Sequence, residues 1–137
     1  MGQYSVGANR PNLSVFNLAE HFAQLTLDNG CLPVKVDACL WKRGIVELPP
    51  GRLVSMVESD ADWLSWEHHP NGEEMIIQLS GQLILILEFS GSIVEQKLRE
   101  GDFVVVPRGV WHTANVSAAG RALFITPGDG TENRPRV

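Results

Sequence analysis

Residues 101–116 read GDFVVVPRGVWHTANV, the most specific stretch of the chain. An apolar run ends there in the Pro-Arg-Gly of residues 107–109, a combination typical of a tight corner. Side chains alternate between the two faces of a strand, so His112 shares its face with Ala114. The stretch therefore predicts a strand, a corner and a second strand, with His112 aimed from the end of a hairpin.

A second polar stretch, WEHHPNGEE at residues 66–74, contains two adjacent histidines followed by two glutamates. In a strand over 62–69, Glu67 and His69 share one face with Trp63, whereas His68 points to the other. His68 and His69 cannot both point into one pocket unless the backbone bulges before Pro70. With such a bulge, His68 would be the alternative to His69 as the side chain in the pocket. Periodicity alone does not say which glutamate of the pair that follows points inward.

Between these stretches the chain alternates short apolar segments with turn residues, which favours many short antiparallel strands. An all-β sandwich or barrel is therefore the predicted fold class. The exception is SVFNLAEHFAQL at residues 14–25, whose apolar residues recur every three or four positions and predict a short N-terminal helix capped by Ser14. The predicted strands are 33–37, 43–47, 52–58, 62–69, 74–80, 82–89, 93–98, 102–106, 110–116 and 121–126.

Composition limits the partners of this chain of 137 residues. The formal net charge is −5 and lysine and arginine form no run, so a nucleic-acid partner is not expected. No segment is long and apolar enough to span a membrane or to act as a signal peptide, so the predicted location is the cytoplasm. Cys31 and Cys39 are then expected to be reduced thiols.

Together, the two polar stretches resemble the paired motifs of the cupin superfamily over about residues 50–127. The positions matching the first motif are Glu67, His69, Glu74 and Gly81, and those matching the second are Gly101, Pro107, Gly109 and His112. The resemblance implies an antiparallel double-stranded β-helix, or jelly-roll barrel, and it assigns the single motif glutamate to Glu74. The predicted organisation is an N-terminal segment 1–32, a barrel 33–127 and a surface or frayed tail 128–137.

The chain departs from the cupin motifs at three positions. Ala61 stands where the first motif begins with glycine, Glu67 replaces its first histidine, and Asn115 comes one residue early for the asparagine that ends the second motif. These departures leave it open whether the barrel holds a metal.

A typical cupin binds a divalent transition metal through three histidines and one glutamate. Carried over by resemblance, this chain offers His69, Glu74 and His112, with Glu67 as a further oxygen ligand if it reaches inward. Such a set suits Fe, Mn, Ni or Zn, and ligand types alone do not select among them. The alternative is a metal-free polar pocket in which the histidines neutralise two carboxylates of like charge.

Two classes of function follow from the sequence. In the first, the chain is a metal-dependent enzyme of dioxygenase, isomerase or lyase type, acting on a small organic molecule, with Glu67 either a ligand or the general base. In the second, it is a non-catalytic barrel that binds a small ligand. The resemblance also implies a homodimer.

Overall fold

A computed structural model describes residues 13–37 and 48–137 of the chain. Within these ranges the chain forms eleven strands and no helix. The strands are β1 (His21–Thr26), β2 (Cys31–Lys35), β3 (Gly51–Ser59), β4 (Ser65–His68), β5 (Glu74–Gln78), β6 (Gln82–Phe89), β7 (Ser92–Leu98), β8 (Phe103–Val106), β9 (His112–Ala118), β10 (Gly120–Thr126) and β11 (Glu132–Pro135).

The strands form two antiparallel sheets. One has six strands in the order β2-β1-β3-β10-β5-β8, and the other has five in the order β11-β4-β9-β6-β7. The predicted all-β antiparallel architecture is confirmed. Neighbours in a sheet are often distant in sequence, which brings the two polar stretches together: β4 pairs with β9, and Glu67 lies opposite His112.

The apolar core lies between the sheets and excludes water from one end of the polar site. Its buried members are Ile76, Leu83, Leu85, Leu87, Leu98, Val106, Ala114, Ala122 and Phe124. On β5 the inward row is Glu74, Ile76 and Gln78, all buried. The strict alternation of this strand therefore fixes an acid beside the apolar core.

The predicted helix over residues 14–25 is wrong, because residues 21–26 form β1. This strand pairs with β2 on one side and with β3 on the other. Phe22 and Gln24 point inward and are buried, which is a period of two, whereas Val15 is 96% exposed. Pairing on both edges outweighs a helical period that rested on only a few apolar residues.

Other predicted boundaries shift by a few residues. The strand predicted at 33–37 is observed as β2, and the strand predicted at 43–47 lies outside the described residues, as does Cys39. Cys31 is an exposed free thiol.

Within the described ranges, no helix is long and apolar enough to cross a membrane. The tail that was predicted to lie on the surface or to fray is largely exposed, and it contains β11, which pairs with β4.

The turn between β5 and β6 depends on Gly81. Its φ is +70°, and a Cβ atom there would lie 2.4 Å from the carbonyl oxygen of Ala119. Only glycine tolerates both conditions. The first cupin motif therefore ends on a residue required by backbone geometry.

Candidate metal centre

Four side chains with metal-ligating atoms meet at one end of the core. Glu67 lies on β4, His69 directly follows that strand, Glu74 begins β5 and His112 begins β9. One ligand atom of each lies within 4.8 Å of those of the other three. The structure thus brings together the four residues that the cupin resemblance assigned to the site.

The two histidines point their Nε2 atoms at the carboxylates. The Nε2 of His112 lies 3.0 Å from Oε1 of Glu74, and the Nε2 of His69 lies 3.3 Å from its Oε2. Glu67 is farther from both histidines, with Oε2 at 3.7 Å from His69 and 3.8 Å from His112. Glu74 is therefore the central acid of the group and Glu67 the peripheral one.

The exposure of the two acids also shows that Glu74 is central and Glu67 is peripheral. Glu74 and His112 are 2% and 0% exposed, whereas the side chain of Glu67 is 34% exposed. Charged groups at such depth require partners, because burying an isolated carboxylate is very unfavourable. Three of the four groups thus lie inside the protein, and Glu67 reaches them from the cavity side.

A second layer of hydrogen bonds orients the buried groups. The Nδ1 of His112 lies 3.0 Å from the carbonyl oxygen of Val110, and the hydroxyl of Thr126 donates to Oε2 of Glu74 at 2.6 Å. A carbonyl only accepts, so the Nδ1 of His112 carries the proton and its Nε2 is left to face the site. Outer partners of this kind orient the ligands of metal sites.

The tight corner predicted at 107–109 positions His112. Gly109 has a φ of +72°, and its N–H donates to the carbonyl oxygen of His69 at 3.0 Å. One backbone bond thus ties the corner of the second polar stretch to the histidine of the first. The convergence of His69 with His112 follows from this connection and from the pairing of β4 with β9.

Electrostatics within the group are strong in the metal-free protein. Burial by itself would lower the pKa of His69, but Glu67 and Glu74 outweigh that effect and raise the pKa to about 9. Burial would likewise raise the pKa of Glu74, but His112 and His69 outweigh it and lower the pKa to about 2. Without a metal, the group is therefore a charged imidazolium beside a carboxylate.

The residues present fit a metal ion. The Nε2 of His69 is buried without a hydrogen-bond partner, although it lies among the carboxylates. Two imidazole nitrogens and two carboxylates are a donor set for a borderline divalent transition metal. An ion among the four groups would give the orphaned nitrogen a partner and would replace the proton that His69 otherwise carries.

Other candidates from the sequence lie outside the group. His68 points away, as strand alternation predicts: it stacks on Trp111 at 4.8 Å and lies 3.5 Å from Glu132. Glu73 is exposed, so periodicity left open a choice that the structure resolves in favour of Glu74. His21 is half-buried near Phe16, away from the site.

The group opens into a cavity of about 560 Å³. Its described lining combines the three residues Glu67, His69 and Glu74 with apolar and neutral polar side chains. The apolar ones are Leu53, Val57, Trp63 and Phe124, and the neutral polar ones are Ser55, Thr126, Thr131 and Asn133. This volume suits a small organic molecule.

Sequence reasoning missed the threonines of the site. The inward position of Thr126 could have been predicted, because strand alternation puts it on the same face of β10 as Ala122 and Phe124. Thr131 carries none: it lies in the predicted tail, between turn residues, and its contact with His69 spans 62 positions.

The family profile described as Cupin domain matches residues 44–128 of this chain, which is more than half of it. No curated protein sequence matches the chain.

Several solved structures are similar at low identity. Hydroquinone 1,2-dioxygenase from Sphingomonas sp. TTNP3 with 4-hydroxybenzoate bound is 13% identical with a TM-score of 0.46, over 55% of this chain and 58% of that one. An oxalate oxidase is 18% identical with a TM-score of 0.49, over 58% and 44%. A cupin-2 domain containing protein from Shewanella frigidimarina NCIMB 400 is 20% identical with a TM-score of 0.43, over 61% and 71%. The chain thus spans less than two thirds of the first two structures.

Proposed function

The chain belongs to the cupin domain family, and on that premise we propose that it is a metal-dependent enzyme acting on a small organic molecule. The observation that carries the proposal is the convergence of His69, Glu74 and His112, with Glu67 beside them, at the bottom of a cavity. The metal would be Fe, Mn, Ni or Zn. Dioxygenase, isomerase and lyase reactions are all compatible with this arrangement.

The proposed role of each residue follows from how deeply its side chain is buried in the site. The Nε2 atoms of His69 and His112 and the carboxylate of Glu74 would hold the ion, which would supply Lewis-acid or redox chemistry. Glu67 lines the cavity and is partly exposed, so it can serve either as a fourth ligand or as the base that accepts a proton from the substrate. Trp63 and the core side chains keep bulk water from one side of the reacting groups.

The lining also favours a class of substrate. Its charged members are two acids and one histidine, and the described residues of the lining include no lysine or arginine. A divalent ion would be balanced by the charges of Glu67 and Glu74, so an anionic substrate would meet no net positive charge. The preferred substrate is therefore an uncharged molecule with an apolar body and an oxygen atom to present to the metal.

Metal content tests the proposal directly. Protein purified without a nickel column and dialysed exhaustively should retain about one transition-metal ion per chain by elemental analysis. Protein without metal that co-purifies with a small organic ligand would instead support the alternative, a non-catalytic binding barrel in which the histidines neutralise the carboxylates. A cytoplasmic location and the lack of a nucleic-acid partner stay predictions from the sequence.

The outward face of the six-stranded sheet supports a homodimer. Cross-strand pairing aligns two apolar rows over β3, β10, β5 and β8, which are Met56, Leu123, Ile77, Phe103 and Val54, Ile125, Met75, Val105. Phe103 is 60% exposed in the single chain. A second copy presents the same uncharged rows, so the face can cover itself. Light scattering should give twice the chain mass, and Phe103→Glu should give the monomer mass.

A further inference from the structure

We propose that residues 128–136, which we call the C-terminal strap, are a working part of the metal site, and that Thr131 is a positioning residue for His69. This inference rests on the proposed metal function. All of the strap but its first residue lies beyond the part of the chain that matches the cupin profile, residues 44–128. It therefore lies outside the part of the chain that the family pattern describes.

The strap forms part of the cavity wall. Four of its residues line the cavity, namely Gly128, Gly130, Thr131 and Asn133. β11 within it pairs with β4 in a register that sets Asn133 opposite Glu67. The strand that carries the peripheral acid of the site is thus covered along its outer edge by the strap.

The hydroxyl of Thr131 contacts the ring of His69 directly. The distance from Oγ1 to Nδ1 is 2.9 Å. Because the protonated His69 carries a hydrogen on both ring nitrogens, its Nδ1–H donates to the hydroxyl oxygen and its Nε2 faces Glu74. His112 obtains the same orientation from the carbonyl of Val110, so each histidine of the site has one outer partner, and that of His69 comes from the strap.

Two arginines anchor the strap to the rest of the barrel. The Arg136 guanidinium donates to Oδ1 of Asn115 at 2.8 Å and to the carbonyl oxygen of Trp63 at 3.1 Å. The Arg134 guanidinium lies over the rings of Trp66 and Trp111, at 5.2 and 4.5 Å from their centroids, and it pairs with Glu88.

Cation–π contacts hold Arg134, and hydrogen bonds from the charged guanidinium hold Arg136. The strap therefore has a defined position over the site. The hydroxyl that it presents is therefore fixed in space relative to His69. This is the condition for an outer partner to set the orientation of a metal ligand.

The test is metal affinity, measured by competition with a chromophoric chelator, in Thr131→Val and Thr131→Ser. Valine keeps the shape and removes the hydroxyl, so affinity should fall roughly 10- to 100-fold, as for other lost outer partners. Serine keeps the hydroxyl and should restore affinity to within about threefold. The Co(II) absorption spectrum should change in the valine variant and return in the serine variant, which a merely structural role would not produce.

Controls separate this inference from the proposed function. Ser117→Ala removes an exposed hydroxyl that bonds Gln82 near the opposite end of β9 from His112, and it should leave metal affinity unchanged. Wild-type protein that binds no metal would overturn both proposals. Wild-type and Thr131→Val proteins that bind metal equally would overturn only the role of Thr131.

A second variant covers the case in which Thr131→Val fails to fold. Thr131→Ala removes the hydroxyl without placing a methyl group against His69, and the same loss of affinity is expected. If both variants unfold while Thr131→Ser stays folded, the hydroxyl acts on the fold and the positioning role is refuted.

Discussion

The inner and outer halves of the candidate metal centre are built in different ways. In the inner half, Glu74 and His112 are almost wholly buried at the starts of central strands and lie 3.0 Å apart. In the outer half, Glu67 is one third exposed and Thr131 comes from the C-terminal strap. The inner half depends on the core and the strand order, whereas the outer half depends on an edge strand and two arginine anchors.

This contrast assigns different tasks to the two halves. Residues held by the core cannot change without a penalty in stability, so they suit the proposed holding of an ion. Residues at the cavity edge can change at lower cost. Glu67 and the strap are therefore where this chain adjusts the charge and shape of the site.

The largest effect is expected from His112→Ala, which breaks the inner half. Metal affinity should fall at least about 100-fold because a ligand is lost. The free energy of unfolding should fall by roughly 3 kcal/mol because Glu74 loses the closer of its two imidazole partners while still buried. Elemental analysis and urea denaturation measure the two effects. His68→Ala, which removes the neighbouring outward imidazole, should keep its metal; full metal retention by His112→Ala would refute the assignment.

The next effect, which is on stability alone, is expected from pH in chelator-treated protein. The pKa of His69 is raised from 6.5 to about 9, so its stabilising contribution is complete below pH 6.5 and is lost as the pH rises through 9. The pKa of Glu74 is lowered from 4.5 to about 2, so its contribution is complete above pH 4.5 and is lost as the pH falls through 2.

The free energy of unfolding should therefore be greatest between about pH 4.5 and 6.5 and should decline by about 3 kcal/mol towards pH 9. Urea denaturation over this range measures the decline, and His69→Gln should remove it. Stability that rises from pH 6.5 to 9 in the wild-type protein would contradict the charged pair.

The smallest effect is expected from Glu67→Gln, which alters only the outer half. With a divalent ion bound, the substitution leaves one uncompensated positive charge, so malonate should bind at least about tenfold more tightly. Calorimetry on metal-loaded protein measures this change. Glu73→Gln makes the same change in charge at an exposed position outside the cavity, and it should have no effect. Equal malonate binding by both variants would argue against charge balance at the centre.

The difference between the inner and outer halves also explains how much of the site could be predicted from the sequence. The inner half was predictable because strand alternation and the spacing of Gly101, Pro107, Gly109 and His112 are local signals that match a known motif. The helix predicted over residues 14–25 failed because its period rested on only a few apolar residues, and pairing with β2 and β3 selected the strand. The contact between Thr131 and His69 has no local signal, since it depends on β11 reaching the edge of β4.

The alternation along β5 makes the centre intolerant of changes in the length of this strand. Met75 and Ile77 face outward while Glu74 faces the ion site, so adding or deleting one residue within the strand would turn a thioether or an alkyl group inward instead of the acid. The length of β5 is therefore more constrained than the identity of any one of its outward side chains. Descendants of this chain should keep the number of residues in this strand even where its sequence has changed.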